Sequence, residues 1–315
     1  MLPVYIIILN YKRWEDTREC LDSVFRSCNE NFSVIVIDND SQNNSIEHLI
    51  EWVDNTRAQS GSSPFDYISF RPEDVDGLTD PTSLPRLTFI QNNSNKGFAA
   101  GNNVALKLLK NENVYCWLLN PDMTIQPDTL DEFVKFAGDK PLTAIIGGHI
   151  VSFSGNHALL FYGGATINFL TGTITPVRRA SSSPQLDYIH GACFFTHVSN
   201  FKRVGLLPEE YFLYWEESDW CYRARQLGSE FYVCPTAICY DKVSTVIGRG
   251  FMADYFYVRN GLLFISKYRK KNLPFVLFFN MIRFFKRVFT GKWQKAGGVF
   301  KGTIDFFKMR RNDAK

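Results

Sequence analysis

The chain has 315 residues, 45% hydrophobic and 21% charged, the composition of an ordinary folded protein of one large or two modest domains with ample chain to bury a core. Its net charge of +3 hides an asymmetry: residues 266 to 315 carry 14 Lys and Arg against two Asp, leaving 21 Lys and Arg against 30 Asp and Glu in the first 265. No apolar run approaches the roughly 20 residues that span a bilayer, and Met1 leads into "LPVYIIILN" without a basic leader or a small-residue cleavage site, so neither a membrane span nor a secretory signal is expected.

"VYIIIL" (4–9) is a β-rich run, and "WEDTRECLDSVFRSC" then places Trp14, Thr17, Leu21, Val24, Phe25 and Cys28 on one helical face. "SVIVID" (33–38) is a second strand, followed by a short helix that Ser45 caps and that carries Ile46, Leu49, Ile50 and Val53. Residues 54 to 86, rich in Ser, Pro, Asp and Gly, read as a long surface insertion. "LTFIQ" (87–91) is a third strand, "AAGNNVALKLLK" a helix, "VYCWLLN" (114–120) a fourth strand, and Pro127 opens another helix. Strands this apolar with helices between them imply a parallel sheet covered on both faces, a Rossmann-like α/β half. Past about residue 144, "LTAIIGG", "ALLFYGG" and "YIHGACFFT" with their Gly-rich turns point to a mixed, antiparallel second half. "SDWCYRARQLG" is a helix with Gly228 as its C-cap. There is no internal repeat. Seven scattered cysteines without a CxxC pair read as reduced core residues of a cytoplasmic protein.

The strands end in polar residues: Asn10-Tyr11, Asp38-Asn39-Asp40-Ser41, Asn92-Asn93 and Asn120-Pro121-Asp122. Ligands of such sheets bind beyond the carboxyl ends of the strands. This rim offers carboxylates and amides, few cations, and no phosphate loop of the GxxxxGK[ST] kind. A diphosphate would be held here by a divalent cation that shares its oxygens with a carboxylate. Asp122 is either that ligand or a turn residue after Pro121. A second constellation, "YFLYWEESDWCYRARQLG" (211–228), delivers Glu216, Glu217 and Asp219 at the start of a helix. Acids there suit the helix macrodipole. Crowded beside Trp215 and Trp220, one of them is equally placed to be tuned as a general base.

"IIILNYKRWEDTRECLDSV", "VIVIDNDS", "NKGFAAGNNVAL", "WLLNPDM" and "YFLYWEESDWCYRARQLG", in this order and spacing, resemble the inverting nucleotide-sugar glycosyltransferases of the GT-A fold, and specifically the rhamnosyltransferase-like branch of glycosyltransferase family 2. The resemblance covers residues 3 to 265. It implies a GT-A domain over 1–265, with a nucleotide-binding half to about 122 and an acceptor half from 123 to 265, ahead of a basic extension over 266–315. It implies that Asp38 contacts the base or ribose, that Asn10, Tyr11 and Asn120 line the same pocket, and that Asn95, Lys96, Gly97, Phe98 and Asn102 close over the nucleotide. Asp122 would hold Mg²⁺ or Mn²⁺ on the donor diphosphate. Glu217 would be the catalytic base, with Trp215, Glu216 and Asp219 setting the acceptor site. After "CPTAICY", where relatives often place a His that completes the coordination, this chain has Asp241, an oxygen ligand suited to the same ions or else a surface residue. His190 and His197 read as structural. Arg259-Asn260 either reaches the diphosphate or belongs to a helix face.

The implied reaction moves a sugar, with dTDP-rhamnose favoured over a UDP-sugar donor, to a glycan or polyprenyl-linked acceptor. The competing readings are a sugar nucleotidyltransferase, which would want a Gly-rich basic loop that "LNYKRWEDT" lacks, and a degenerate nucleotide-sugar binder without turnover. In the tail, "LPFVLFFNMIRFFKRVF" puts Phe278, Met281, Ile282, Phe285 and Phe289 on one face and Asn280, Arg283 and Arg287 on the other. The reading is a peripheral helix on the anionic inner face of the cell membrane; the alternative is a helix packed on the domain or at a dimer contact. Nothing matches a nucleic-acid motif, so no nucleic-acid partner is expected. The oligomeric state stays open.

Overall fold

The computed structural model describes residues 2–60, 66–75, 84–109, 111–181, 184–242 and 250–312. The first strand, β1 (Val4–Asn10), is buried at all seven positions. That is how a run of apolar, largely β-branched residues behaves in the middle of a sheet with both faces covered. It is followed by α1 (Trp14–Phe25), β2 (Phe32–Asp38), α2 (Ser45–Ser60), β3 (Tyr67–Phe70), α3 (Pro72–Val75), β4 (Leu87–Gln91), α4 (Phe98–Leu109) and β5 (Tyr115–Leu119). These five strands are mutually parallel in the order β3-β4-β2-β1-β5.

The second half continues with β6 (Met123–Ile125), α5 (Thr129–Gly138), β7 (Ile145–Ser152), β8 (Leu159–Tyr162), β9 (Gly164–Asn168), β10 (Thr173–Pro176), β11 (Tyr188–Ile189) and β12 (Cys193–His197), then α6 (Ser199–Val204), α7 (Glu216–Gln226), β13 (Phe231–Asp241), α8 (Phe251–Tyr268), α9 (Leu273–Phe289) and α10 (Trp293–Asn312). The strand β12 lies antiparallel between β5 and β7, so one sheet runs on as β5-β12-β7-β13-β6, with β8 on β7. The strands β10, β9 and β11 form a small antiparallel sheet. The expected α/β architecture, parallel at first and mixed later, is the observed one.

Alternation along β1 divides the core into two layers. Val4, Ile6 and Ile8 pack with Cys20, Leu21 and Val24 of α1, Leu49 and Val53 of α2, and Leu130 and Phe133 of α5. Tyr5, Ile7 and Leu9 pack with α4 and, further along, with Phe194, Trp220, Leu262 and Phe264 under α7 and α8. Three local expectations are corrected. The helix after Ser45 is 16 residues, not short. The presumed insertion contributes β3 to the sheet edge, while residues 61–65 and 76–83 of it lie outside the described residues. Cys28 lies past the end of α1 and is exposed, whereas the other six cysteines are buried; all seven are free thiols.

Candidate active site

The carboxyl ends of β1, β2 and β4 meet in one hydrogen-bonded knot. Asn10 is fully buried: its Nδ2 donates to Asp38 Oδ1 (2.5 Å), and its Oδ1 accepts from Thr17 Oγ1 (2.8 Å). Asp38 also accepts from the Ser41 amide (2.9 Å), the Ser41 hydroxyl and Gln91 Nε2 (2.9 Å). Four donors use the acceptor positions of that carboxylate, so it shapes the floor of the pocket and sets the loop 39–41. From that loop Asn39 Nδ2 donates to Asn95 Oδ1 (2.9 Å), which itself accepts from the Gly97 amide (2.9 Å). Gly97 has φ +95, and a Cβ there would sit 2.1 Å from the Phe212 carbonyl oxygen, which accepts from the Phe98 amide at 2.7 Å. Only glycine permits this approach. Tyr11 is half-buried at the rim under the Lys12 ammonium (5.1 Å), and Lys96 is exposed there. Asn102 is buried one turn into α4 and donates back to the Phe98 carbonyl (2.9 Å), so it stiffens the helix start instead of reaching outward.

At the end of β5 the Asn120 amide donates to the Ala192 carbonyl (3.0 Å). The adjacent Gly191 amide donates to Glu217, and Glu217 Oε1 and the Phe98 ring lie 3.5 Å from where a Gly191 Cβ would be. The segment 190–192 thus joins Asn120-Pro121-Asp122 to the acidic helix on one side of the molecule. Burial raises the Glu217 carboxyl to about 7, with Gly191 and its own amide acting in the opposite direction. Its Oε2 is buried with no hydrogen-bond partner. Glu216 is deeper, and desolvation together with the neighbouring Glu217 charge pushes it well above the carboxylate range. Burial thus raises both carboxyls of the pair, Glu216 further than Glu217.

The second carboxylate of interest arrives by sheet register. In the antiparallel β6–β13 pair Asp241 faces Met123, one residue from Asp122, and the Lys242 amide donates to the Asp122 carbonyl (3.2 Å). Lys242 Nζ bridges Asp16 (2.9 Å) and Glu19 (2.7 Å), and Asp16 also holds Arg13 (3.0 Å). The charge of Asp122 is felt at both Arg13 and Cys20. Among the described residues no three His, Cys, Asp or Glu side chains group as a metal site. Asp122 and Asp241 each carry hard oxygen donors of the kind that Mg²⁺ or Mn²⁺ takes alongside diphosphate oxygens.

A family model described as Glycosyl transferase family 2 matches residues 5–70 and 72–205, well over half of the chain. The chain belongs to glycosyl transferase family 2. A curated relative, the low-salt glycan biosynthesis hexosyltransferase Agl10 of Haloferax volcanii, is 28% identical over 145 residues, and the match spans 44% of this chain and 46% of that protein. Among solved structures, the mannosyltransferase PcManGT from Pyrobaculum calidifontis, in complex with GDP-Man and Mn²⁺, superposes with a TM-score of 0.56 at 13% identity, covering 97% of this chain and 87% of that one. S. aureus TarS 1–349 gives 0.52 at 15% identity, covering 91% and 73%. These structural likenesses establish the GT-A fold.

In this family 2 chain several site residues take places the sequence did not indicate. Asp219 is buried, its oxygens taken by Tyr211 (2.7 Å), Arg223 (2.9 Å) and Lys267 (3.2 Å), and Trp215 is buried with its indole donating to the Tyr257 carbonyl (3.0 Å). Both side chains are spent on contacts inside the protein, so whatever part they take in setting an acceptor site is through the position of the segment that carries the acids. His197 is buried between Ser199 and Asn113, and His190 packs on Phe161 at 4.0 Å, with burial lowering its pKa to about 4.

Sequence reasoning missed the device that holds the acids. Phe212, Tyr214 and Trp215 all have positive φ (64, 64 and 79), a left-handed turn that costs bulky residues energy. The fully buried Asn260 of α8 captures the carbonyls of Tyr211 (2.7 Å), Leu213 (2.6 Å) and Tyr214 (3.0 Å), and Arg259 donates to Tyr211 as well (2.7 Å). Arg259 and Asn260 thereby clamp the acidic segment. The residue type was the one available signal, since Asn in the middle of a helix wants partners outside it. Replacing Asn260 with Ala leaves these carbonyls unpaired at about 1–3 kcal/mol for each group that water cannot reach. The expected result is a midpoint loss of about 2–4 kcal/mol in urea unfolding, together with a fall in kcat larger than any change in KM for donor.

Proposed function

We propose that the protein is a metal-dependent, inverting hexosyltransferase that moves a sugar from a nucleoside diphosphate donor to a hydroxyl of a lipid-linked or polysaccharide acceptor in cell-surface glycan synthesis. The observation that carries this reading is the Glu217 carboxyl, raised to about 7 and tied through Gly191 and Ala192 to the strand end that bears Asp122. The rim of Asn10, Tyr11, Asn39, Asn95, Gly97 and Phe98 holds the nucleoside, with Asp38 as its anchor. Glu217 takes the proton of the acceptor hydroxyl as that oxygen bonds to the anomeric carbon, and the bond to the diphosphate breaks on the opposite side with its electron pair. Desolvation disfavours a second negative charge on Glu216 beside that of Glu217. Arg13, which feels the charge of Asp122, lies on this side of the site, although it and Lys242 are held by Asp16 and Glu19. Mg²⁺ or Mn²⁺ held by Asp122 and Asp241 would supply Lewis-acid stabilisation of that group.

The donor class is supported by similar structures that carry GDP-Man, UDP or UDP-GlcNAc, and Mn²⁺ accompanies the nucleotide in two of the similar structures. The motif resemblance favours rhamnose as the sugar, and the hexosyltransferase relative from glycan biosynthesis favours a glycan acceptor. The test is release of nucleoside diphosphate from a panel of dTDP-, UDP- and GDP-sugars, with and without Mn²⁺ and a polyprenyl-linked acceptor. Acceptor-dependent release with one donor supports the assignment. Pyrophosphate formation from a sugar phosphate and a nucleoside triphosphate would instead make it a nucleotidyltransferase, and binding without release a degenerate binder.

A further inference from the structure

The helix α9 presents an apolar stripe to solvent as well as to the domain. Its inward side mixes Leu273, Val276, Leu277 and Phe284, which pack on the core, with polar side chains: Asn280 is 4% exposed, Arg283 stacks on Tyr257 (4.8 Å), and Arg287 pairs with the buried Asp254 (2.9 Å). Its outward stripe holds Phe275, Phe278, Met281, Ile282, Phe285 and Phe289, all exposed and Phe289 83% so. A surface helix of a globular protein ordinarily does the opposite. The helix already packs on the domain through its inner side, so the exposed outer residues are in excess of what that packing uses.

The helix α10 extends the same surface. Gly298 and Gly302 let it lie directly on α8; a Cβ at these positions would come within 2.4 Å of the Phe251 carbonyl oxygen and 2.6 Å of that of Tyr255. Trp293, Phe300 and Phe307, seven residues apart and hence on one line of the helix, stay exposed, Trp293 at 67% and Phe300 at 58%. The ring of Phe284 in α9 meets that of Phe300 at 6.1 Å, which joins the two helices. The same segment carries exposed lysines at 270, 271, 286, 292, 301 and 308. The sole acid between residues 266 and 312, Asp305, is paired with Lys301 and Tyr255.

From this placement we infer that α9 and α10 dock the protein in the plane of an anionic lipid surface, with the Phe and Trp side chains in the acyl boundary and the lysines at the headgroups. Charge selects the lipid over a second copy of the chain: a two-fold contact would set this cationic face against itself, whereas an anionic bilayer complements it. The described helices contain none long and apolar enough to cross a membrane, so the attachment is lateral. It stands independently of the sugar-transfer reading, because it concerns a face formed by other residues.

The test is sedimentation of the full chain with vesicles of phosphatidylcholine alone or mixed with phosphatidylglycerol, alongside light scattering without lipid. Binding is expected to the anionic vesicles and to weaken in high salt. The variant F278S/F285S/F289S should lower the partition coefficient by about tenfold or more, and K286E/K292E, which leaves the aromatic face and the fold untouched, should abolish the preference for phosphatidylglycerol. Equal soluble fractions with and without anionic vesicles, or partition unchanged in both variants, would overturn the inference. So would a lipid-indifferent dimer that either variant dissolves.

Discussion

Glu217→Gln is expected to lower the rate of sugar transfer by about 10²-fold or more while leaving the fold intact and somewhat more stable at alkaline pH. The amide keeps the shape of the carboxyl and its contact with Gly191, but cannot take a proton from the acceptor hydroxyl. In the unmodified protein the rate should rise with pH through about 7 as Glu217 loses its proton, and this limb should vanish in the variant. The sign for stability is opposite. Because folding raises this carboxyl above its ordinary value near 4.5, the folded state binds the extra proton between that value and about 7, and stability falls as pH rises through the window. The variant removes that fall, by roughly 1–3 kcal/mol at pH 8. Urea unfolding at pH 5 and pH 8 measures it, and the pH-rate profile measures the base. A variant that retains the acid limb would move the base role to another group.

The parallel half of the fold was legible because it is local. Runs such as "VYIIIL" and "SVIVID" can be buried on both faces only in a covered sheet, and four of them separated by helical periodicities leave one architecture. The acids at 216 and 217 were legible as a cluster, but not their division of labour, since which carboxyl sits deeper depends on the turn before it. That turn is built by Asn260, about 45 residues downstream, from aromatics that no local rule would place at positive φ. The pairing of Asp241 with the strand after Asp122 is likewise a register fact, fixed by contacts 118 residues apart in sequence. In the tail, periodicity showed two faces of α9 and could not say which one turns inward. The inner side is the one where Leu273, Val276, Leu277 and Phe284 meet the core and where Asp254 and Tyr257 partner the arginines.

One helix connects these features. The inner face of α8 clamps the acidic segment through Arg259 and Asn260, while Phe251 and Tyr255 of the same helix receive α10. The surface assigned to lipid and the base assigned to proton transfer therefore rest on one rigid element. A lipid-linked acceptor arriving from the membrane would meet a site whose distance from that surface is set by α8 and not by a flexible linker.

Asp122→Ala is the second change expected to abolish transfer, again by about 10²-fold or more, and its signature differs from that of Glu217→Gln. The substitution removes a negative charge, one that Arg13 feels, so the site becomes less repulsive toward a diphosphate. Nucleoside diphosphate alone should therefore raise the melting temperature of the variant at least as much as that of the unmodified protein. What should disappear is the additional rise when Mn²⁺ is added with the nucleotide, worth about 2.7 kcal/mol where the ion is a hundredfold above its dissociation constant. Asp241→Asn, which removes one of the two carboxylates proposed to hold the ion and keeps the β6–β13 register, should weaken the Mn²⁺ requirement without eliminating transfer. A thermal-shift series over nucleotide and Mn²⁺ for the three proteins separates these outcomes. If Mn²⁺ stabilises the Asp122→Ala protein as much as the unmodified one, the carboxylate at the end of β5 is not the one that holds the ion.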